Sequence, residues 1–129
     1  MAGRKGRSAA RPTRQDRRLL GRWKSDRRKT MREARKYKRL TPAQTAVFER
    51  IFGELQLRYT PTRVYSSLHG DVAVASYEIL GIDDWSVAVA ATWAGVRSIS
   101  HIHFEGSHYW ISLNGVMREY FKRVPQGRP

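Results

Sequence analysis

The sequence predicts an α+β domain preceded by a basic N-terminal arm, and three observations support this prediction. Positive charge is concentrated before residue 40, a well-capped amphipathic helix follows, and apolar residues then alternate with polar ones between regularly spaced turn signals. The predicted units are a polycationic arm over residues 1–40 and a compact α+β body over residues 41–129.

The charge distribution is the strongest indication of a partner. The chain has 129 residues and a net charge of +14. Residues 1–39 contain 17 lysines and arginines against three acidic residues, whereas residues 40–129 contain eight basic and eight acidic residues. Twelve of the 17 cations are arginines, whose guanidinium groups bind phosphates with two hydrogen bonds and stack on bases. We therefore expect a polyanionic partner, and nucleic acid before acidic lipid or acidic protein.

Within the arm, residues 1–12 are predicted to be disordered in isolation because Gly, Ser and Pro are spaced among cations. Residues 13–40 are predicted to form a conditional helix that phosphates would stabilise by neutralising its self-repulsion. Leu20, Trp23, Met31 and Ala34 fall roughly on one side of that helix. Trp23 is interpreted as a residue that stacks on bases or anchors the arm to the body.

A second helix is predicted over residues 42–56. Thr41 is the N-cap, Pro42 occupies the first helical position, and Gln44 completes a capping box. Val47, Ile51 and their apolar neighbours form one broad face that is expected to pack. The end of this helix is ambiguous, because the residues up to position 59 also alternate as a strand would.

From residue 62 onward the apolar residues recur with a period of two. Six strands are predicted: Thr62–Leu68, Val72–Leu80, Trp85–Trp93, Val96–Phe104, His108–Leu113 and Val116–Arg123. Their links are short, and Asn114-Gly115 is a strong hairpin signal. Short links favour an antiparallel meander of five or six strands, either covered on one face by the capped helix or closed into a small barrel.

Aromatic residues are spread over the predicted strands. Most of them are expected to lie in the core, because a small body needs large side chains to bury enough area. An exposed minority could stack on unpaired bases, as happens in sheet-based RNA binders. The set comprises Trp85, Trp93, Trp110, Tyr65, Tyr77, Tyr109 and Tyr120.

Several classes of protein are excluded by composition. The chain has no cysteine, so it forms no disulfide, thiolate metal site or cysteine nucleophile. The longest nearly apolar stretch, Val87–Val96, is about half the length that crosses a bilayer. No glycine-rich loop has the spacing of a nucleotide site, so no cofactor is predicted. The expected location is the cytoplasm, a nucleoprotein particle or a virion.

One strand face of the predicted body is rich in polar and ionisable residues. Arg97, His101 and His103 alternate on one side of Val96–Phe104, with Glu105 at its end. Two histidines spaced in this way could share a metal with Glu105 or His108, although no supporting partner is identifiable, and a solvated or nucleic-acid-facing strand is favoured.

The same face also contains the residue types of a metal-independent ribonuclease: a carboxylate base, a histidine acid and an arginine that stabilises phosphate charge. The candidate catalytic residues are Glu78, Arg97, His101, His103 and His108, with Glu105 as an alternative base. Simple binding is favoured over catalysis, because these residue types are common on any sheet that faces nucleic acid.

The sequence therefore predicts a non-enzymatic nucleic-acid-binding protein, with RNA slightly preferred over DNA, in which the arm binds phosphates and the body docks within a nucleoprotein assembly. A virion structural protein and a small ribonuclease are the alternatives. A chain starting near Leu40 is expected to stay folded and to lose most non-specific binding. The predicted nucleic-acid-binding residues are Arg4, Lys5, Arg7, Arg11, Arg14, Arg17, Arg18, Arg22, Trp23, Lys24, Arg27, Arg28, Lys29, Arg32, Arg35, Lys36, Lys38 and Arg39.

Overall fold

The computed structural model describes residues 14–37, 40–113 and 117–125. These residues form two helices and eight strands. The helices are α1 (Arg27–Tyr37) and α2 (Pro42–Ile51). The strands are β1 (Gly21–Ser25), β2 (Gln56–Tyr59), β3 (Arg63–Leu68), β4 (Asp71–Ile82), β5 (Ser86–Trp93), β6 (Val96–Glu105), β7 (His108–Leu113) and β8 (Met117–Arg123).

The eight strands form a closed antiparallel barrel. Each strand pairs with the next one along the chain, and β8 pairs with β1, where Arg123 is the register partner of Trp23. The α+β class, with a capped helix before an antiparallel sheet, is confirmed, but the strand count is eight rather than five or six. The pairing between β6 and β7 covers only three register positions, from His103–Trp110 to Glu105–His108, so residues 96–102 of β6 have no register partner on that side.

The six predicted strands correspond to β3–β8, with ends that differ by at most two residues. Their alternating pattern places one set of side chains inside the barrel and the other outside. The links His69–Gly70 and Ala94–Gly95 have positive φ at both residues, as a type I′ hairpin turn requires. The predicted Asn114-Gly115 turn lies outside the described residues.

Helix α2 begins where the sequence predicts and ends earlier. The Thr41 hydroxyl accepts a hydrogen bond from the Gln44 amide, and the Gln44 side chain accepts one from the Thr41 amide, so the capping box is present. The helix stops at Ile51 rather than at residue 56, and residues 56–59 form β2. The alternation of Leu57 and Tyr59 is thus a strand pattern, and both side chains point into the barrel.

The basic segment is only partly helical, which corrects the prediction for residues 13–40. Residues 21–25 form β1, whose Trp23 is buried inside the barrel and only 2% exposed. Helix α1 packs on the outside of β8, where its Thr30 hydroxyl accepts a hydrogen bond from the Tyr120 amide. Residues 14–37 are therefore part of the folded body, and a boundary near Leu40 does not separate them from it. Residues 1–13 lie outside the described residues.

Aromatic side chains fill much of the barrel interior. The Tyr109 ring lies 4.6 Å from Trp23 and 4.9 Å from Phe121, measured between ring centroids. The Tyr59 and Tyr109 hydroxyls are 3.2 Å apart, and one donates a hydrogen bond to the other in the core. Burial raises the pKa of Tyr59 to about 12. These rings give a barrel of modest size a large buried area, as expected for part of the aromatic set.

One end of the barrel, here called the sealed end, is closed by residues 14–20, the segment that leads into β1. The Leu19 side chain is completely buried in the core, and its carbonyl accepts a hydrogen bond of 2.8 Å from Trp23 Nε1. Arg18 forms a salt bridge of 2.6 Å with Asp16. Its guanidinium also donates to the carbonyls of Asp83 and Asp84 in the β4–β5 turn. The incoming chain is thus fixed at this end by both apolar and polar contacts.

Arg123 of β8 fastens the same segment from the other side. Its guanidinium lies 4.2 Å from the Trp23 ring centroid and donates to the carbonyls of Leu20 and Arg18. Gly21 sits beneath it with φ of +111°, and a Cβ at this position would lie 2.9 Å from Arg123 Nη1. Glycine is favoured there because a φ of +111° strains any other residue, whereas the flexible end of the Arg123 side chain can move away from a Cβ.

At the opposite end, here called the helix end, α2 lies beside the strand ends, and its Phe48 and Ile51 line a pocket with Leu68 and Leu113. None of the residues of α2 is buried, and Ile51 is 54% exposed. Phe52, directly after the helix, is the first buried residue of this region. The apolar face of this helix, which was expected to pack, is therefore only partly packed: Phe48 is half-buried, and its ring lies 5.7 Å from that of Phe52.

Candidate nucleic-acid interface

The predicted cations fall into three described groups and one group that lies outside the described residues. Arg4, Lys5, Arg7, Arg11, Lys38 and Arg39 belong to the last. The described cations lie on the segment 14–20, on β1 and on α1. Eleven of the 17 cations of the basic segment lie within residues 14–37, and they are held on a folded surface.

Some of the predicted binding residues have structural partners instead. Trp23 is buried in the core. It therefore anchors the basic segment to the body, and its ring is not accessible for stacking on a base. Arg18 is committed to Asp16 and to backbone carbonyls. Arg27 donates to the Phe52 carbonyl and to Glu54, and Lys29 forms a salt bridge of 3.4 Å with Glu105.

The outer face of β8, β1 and β2 carries cations that lie directly opposite one another. Arg22 of β1 is the register partner of Arg58 of β2. Lys24 of β1 is likewise paired with Lys122 of β8. Directly opposed residues have their Cβ atoms about 4.5–5.5 Å apart, and like charges at that position destabilise a sheet. Among the described residues, Arg22, Lys24 and Lys122 have no salt bridge. The four opposed cations are here called the cationic face: Arg22, Arg58, Lys24 and Lys122.

Helix α1 extends the positive surface. Arg28, Arg32 and Arg35 recur at positions that lie on one side of a helix, and all three are exposed. Arg35 pairs with Glu49 of α2 at 3.7 Å, while Arg28 and Arg32 have no salt bridge among the described residues. A cleft of about 380 Å³ between the two helices is lined by Arg27, Arg28 and Arg35 with Met31 and Glu49.

A large aromatic side chain projects from the sealed end. Trp85, in the turn between β4 and β5, is 75% exposed, the highest exposure of any large apolar residue described. Arg14 donates a hydrogen bond of 3.3 Å to the Leu80 carbonyl of the preceding strand. The described chain therefore begins close to the hairpin that carries Trp85, and the exposed Arg17 follows along the same segment.

The polar face of β6 points outward, as predicted, and its two histidine rings lie side by side in a tilted arrangement. The His101 and His103 rings lie 4.2 Å apart. His103 in turn stacks on Trp110 at 3.9 Å, and the Arg118 guanidinium lies 3.8 Å from the Trp110 ring centroid. Burial and the charges of His101 and Arg118 lower the pKa of His103. The stack is a ladder of planar groups across β6, β7 and β8.

The residues of the predicted ribonuclease are distributed over this surface and do not converge. Arg97 is paired with Glu78 at 3.2 Å near the far end of β6, about 13 Å along the strand from His101. His108 is hydrogen-bonded to Asp26 at 3.0 Å. The candidate base, acid and phosphate-stabilising groups are therefore not arranged around one reacting atom.

His101 takes part in a hydrogen-bonded chain with Ser86 and Asp83. The Ser86 hydroxyl donates to Asp83 Oδ1 at 3.0 Å, so it accepts from His101 Nε2 at 2.9 Å. The Trp85 amide and the Ser86 hydroxyl hold the pKa of Asp83 below its usual range. Because the hydroxyl proton is committed to Asp83, His101 orders the β4–β5 turn and does not activate Ser86 as a nucleophile.

The described residues contain neither a metal-binding cluster nor a membrane-spanning helix. No group of three or more histidine, aspartate or glutamate side chains in this part of the chain is arranged to hold a metal ion, although His101 and His103 lie side by side. No helix in the described part of the chain is long and apolar enough to cross a membrane.

The interface also includes residues that the sequence does not single out. Arg58 and Lys122 lie outside the basic segment and join the cationic face only because β2 and β8 flank β1. Trp85 belongs to an aromatic set that is expected to be mostly core. Only the strand register and the exposed turn identify these residues, and neither is visible in local sequence.

Comparison with known proteins gives no match: no family model, curated protein or solved structure is similar to this chain. The charge and geometry of its own residues are thus the basis for a functional proposal.

Proposed function

We propose that the protein binds single-stranded nucleic acid, RNA in preference to DNA, without cleaving it. The cationic face and α1 contact phosphates, and Trp85 stacks on an unpaired base. The protein then acts as a component of a nucleoprotein assembly, with the cations of residues 1–13 adding to the charge that attracts the strand.

The observation that carries this proposal is the direct opposition of like charges on the cationic face. Arg22 faces Arg58 and Lys24 faces Lys122, and like charges directly opposite one another destabilise the sheet of the isolated protein. A phosphate placed between two cations converts the repulsion into two attractions. A polyanion with regularly spaced charges therefore reduces the electrostatic repulsion between these opposed cations.

Trp85 supports an unpaired strand over a duplex. A tryptophan that projects 75% of its surface into solvent gains from stacking on a base whose face is accessible, which is the case in single strands. Its hairpin lies beside Arg14, where the cation-rich segment enters the fold. Stacking and phosphate contacts can thus be made by one strand that runs over the sealed end.

The proposal is tested by the binding of labelled oligouridine, measured by fluorescence anisotropy over a series of salt concentrations. In the double variant Arg22→Gln/Lys24→Gln, the slope of log affinity against log salt should fall by about 1.4, because each phosphate of a single strand that a cation neutralises contributes about 0.7. The matched control is Arg50→Gln/Arg63→Gln, which removes two exposed cations outside the cationic face. Equal effects in both variants would show that only net charge matters and would contradict the interface.

The stacking residue is tested separately. Trp85→Ala should weaken oligouridine binding by about 1–3 kcal/mol, the usual contribution of one stacked base, and should leave the salt slope unchanged. Val72→Ala, which trims another highly exposed apolar residue, is the control. If Trp85→Ala binds as tightly as the unaltered protein, base stacking at this turn is excluded.

A further inference from the structure

The helix end of the barrel contains an apolar pocket that the proposed function does not use. A space of about 500 Å³ lies between α2 and the strand ends. Its apolar lining includes Phe48, Ile51, Phe52, Leu68, Leu113 and Met117. A second cavity of about 140 Å³ lies inside the barrel, and Leu55 and Glu119 line both spaces. The volume of the outer pocket is within the range of small-molecule sites.

Glu119 is the ionisable side chain of this pocket. It lies on β8 opposite Ile111, on the same side of the strand as the buried Phe121, and is 8% exposed. Its Oε2 accepts a hydrogen bond of 2.8 Å from the Ser25 hydroxyl, which itself accepts one from the Gly53 amide. Burial raises the pKa of Glu119.

The second carboxylate oxygen of Glu119 is available to a ligand. No hydrogen bond is made to Oε1 among the described residues, yet no buried polar atom there lacks a partner. An Oε1 atom that has no hydrogen bond and is not a buried atom without a partner must border open space. A carboxylate that accepts one hydrogen bond has capacity for several more, so a donor group entering the pocket meets an acceptor that is already oriented by Ser25.

Helix α2 supplies an apolar surface that is not yet covered. Its residues Val47 and Ile51 are exposed, although they belong to the apolar face of an amphipathic helix. The helix is held at its start by the capping box, and none of its residues is buried. An apolar molecule in the pocket would bury both the helix face and the strand ends, and the area removed from water favours its binding.

We propose that the helix end binds a small apolar amine, with the hydrocarbon body between α2 and the strand ends and the ammonium group on Glu119. The ammonium supplies the positive charge that a buried carboxylate lacks, and a hydrogen bond between two ionised groups is stronger than one between neutral groups. The site is separate from the cationic face, so this inference does not depend on nucleic-acid binding.

The positive net charge of the protein means that a comparison of cationic and anionic ligands can distinguish binding at Glu119 from non-specific association. A protein with a net charge of +14 attracts anions and repels cations at long range. Non-specific association with an apolar surface would therefore favour octanoate over octylamine. A preference for octylamine requires a local negative group, and Glu119 is the acidic residue that lines the pocket.

The experiment is calorimetric titration of the full-length protein near neutral pH with octylamine, octanol and octanoate, which share one hydrocarbon chain. Octylamine should bind about tenfold more tightly than octanol, the difference between a charged and a neutral hydrogen bond, and octanoate should bind most weakly. Binding of octanoate as tight as that of octylamine, or no binding of any of the three, would overturn the proposal.

Two variants separate the carboxylate from the apolar pocket. Glu119→Gln keeps a hydrogen-bond acceptor for Ser25 and should abolish the preference for octylamine over octanol, whereas the exposed control Glu78→Gln should retain it. Ile51→Ser, on the exposed helix face, should weaken octylamine and octanol by the same factor. A preference for octylamine that persists in Glu119→Gln, with an unchanged near-ultraviolet spectrum, would contradict the assignment.

Discussion

At the sealed end of the barrel, a side chain of the incoming segment is buried in the interior, whereas at the helix end α2 lies beside the strand ends and buries none of its residues. Leu19 and Trp23 make the sealed end a continuation of the core, and Arg18 and Arg123 donate hydrogen bonds to backbone carbonyls around it. The helix end has an apolar lining and empty volume instead. The comparison shows that one end of a barrel can contribute buried side chains to stability while the other end keeps a pocket that can bind a ligand.

The largest expected effect comes from removing the segment that closes the sealed end together with β1 and α1. Deletion of residues 1–39 removes β1 and α1, exposes the edges of β2 and β8, and takes Trp23 out of the core. We expect this chain to lose its cooperative thermal transition and its near-ultraviolet circular dichroism. This replaces the expectation that a chain starting near Leu40 stays folded.

The control for that experiment is deletion of residues 1–13, which leaves every described element intact. It should melt within a few degrees of the full chain. A cooperative transition in the chain lacking residues 1–39 would show that β1 is dispensable and would reverse the assignment of the sealed end.

Paired truncations at the two ends measure the difference between them. Leu19→Ala should lower the free energy of unfolding by about 2–5 kcal/mol, because it opens a cavity in a completely buried site. Ile51→Ala at the helix end should change it by less than about 0.5 kcal/mol, because its side chain is already largely in water. Urea denaturation at fixed pH gives both values, and similar losses of stability would remove the distinction.

The two ends should also respond to pH in opposite directions. The hydrogen bonds and charge of Arg18 lower the pKa of Asp16, so Asp16 contributes stability above its ordinary pKa of 3.8 that is lost as pH falls through the lowered value. Burial raises the pKa of Glu119, so the folded state holds its proton more tightly than the unfolded chain does. Stability therefore declines as pH rises from the ordinary value of 4.5 through the raised pKa.

Urea titrations at several pH values check these signs. Asp16→Asn should be less stable than the unaltered protein near neutral pH, and the gap should close in acid. Glu119→Gln should gain relative stability as pH rises. If both variants shift stability in the same direction over the same range, the two carboxyl groups do not differ as described.

The smallest expected effect concerns the helix cap. Thr41→Ala removes the hydroxyl that accepts from the Gln44 amide and should destabilise α2 by about 1 kcal/mol. Because α2 buries none of its residues, global unfolding should barely change, and faster amide hydrogen exchange within residues 42–51 should be the main readout. A large drop in global stability would show that α2 holds the barrel together.

Much of the barrel was predictable because its information is local. Strands β3–β8 show alternation and are separated by turn residues, so a window of ten residues is sufficient to locate each one. The outward face of β6 followed from the same period. Strand β1 is different: its five residues contain one inward-facing aromatic, Trp23, between two cations, which is too short a pattern to distinguish from a helix.

The candidate sites depend on information that is not local. Arg22 lies opposite Arg58 and Lys24 opposite Lys122 only because the first and last strands close the barrel, and no sequence window contains both partners. Glu119 is an instructive exception. It shares the side of β8 that carries Met117 and Phe121, so a carboxyl group within an apolar alternation was a visible sign of an interior polar site.

The contact of Arg123 with Leu20 and Trp23 has a consequence for the order of events during synthesis. The hydrogen bond to Leu20 spans 103 residues, so one edge of β1 stays unpaired until β8 has been made. At about 5–20 residues per second, translation of that interval takes on the order of 5–20 s. For that time the most positively charged part of the nascent chain has an open strand edge, and barrel closure follows only when the last strand arrives.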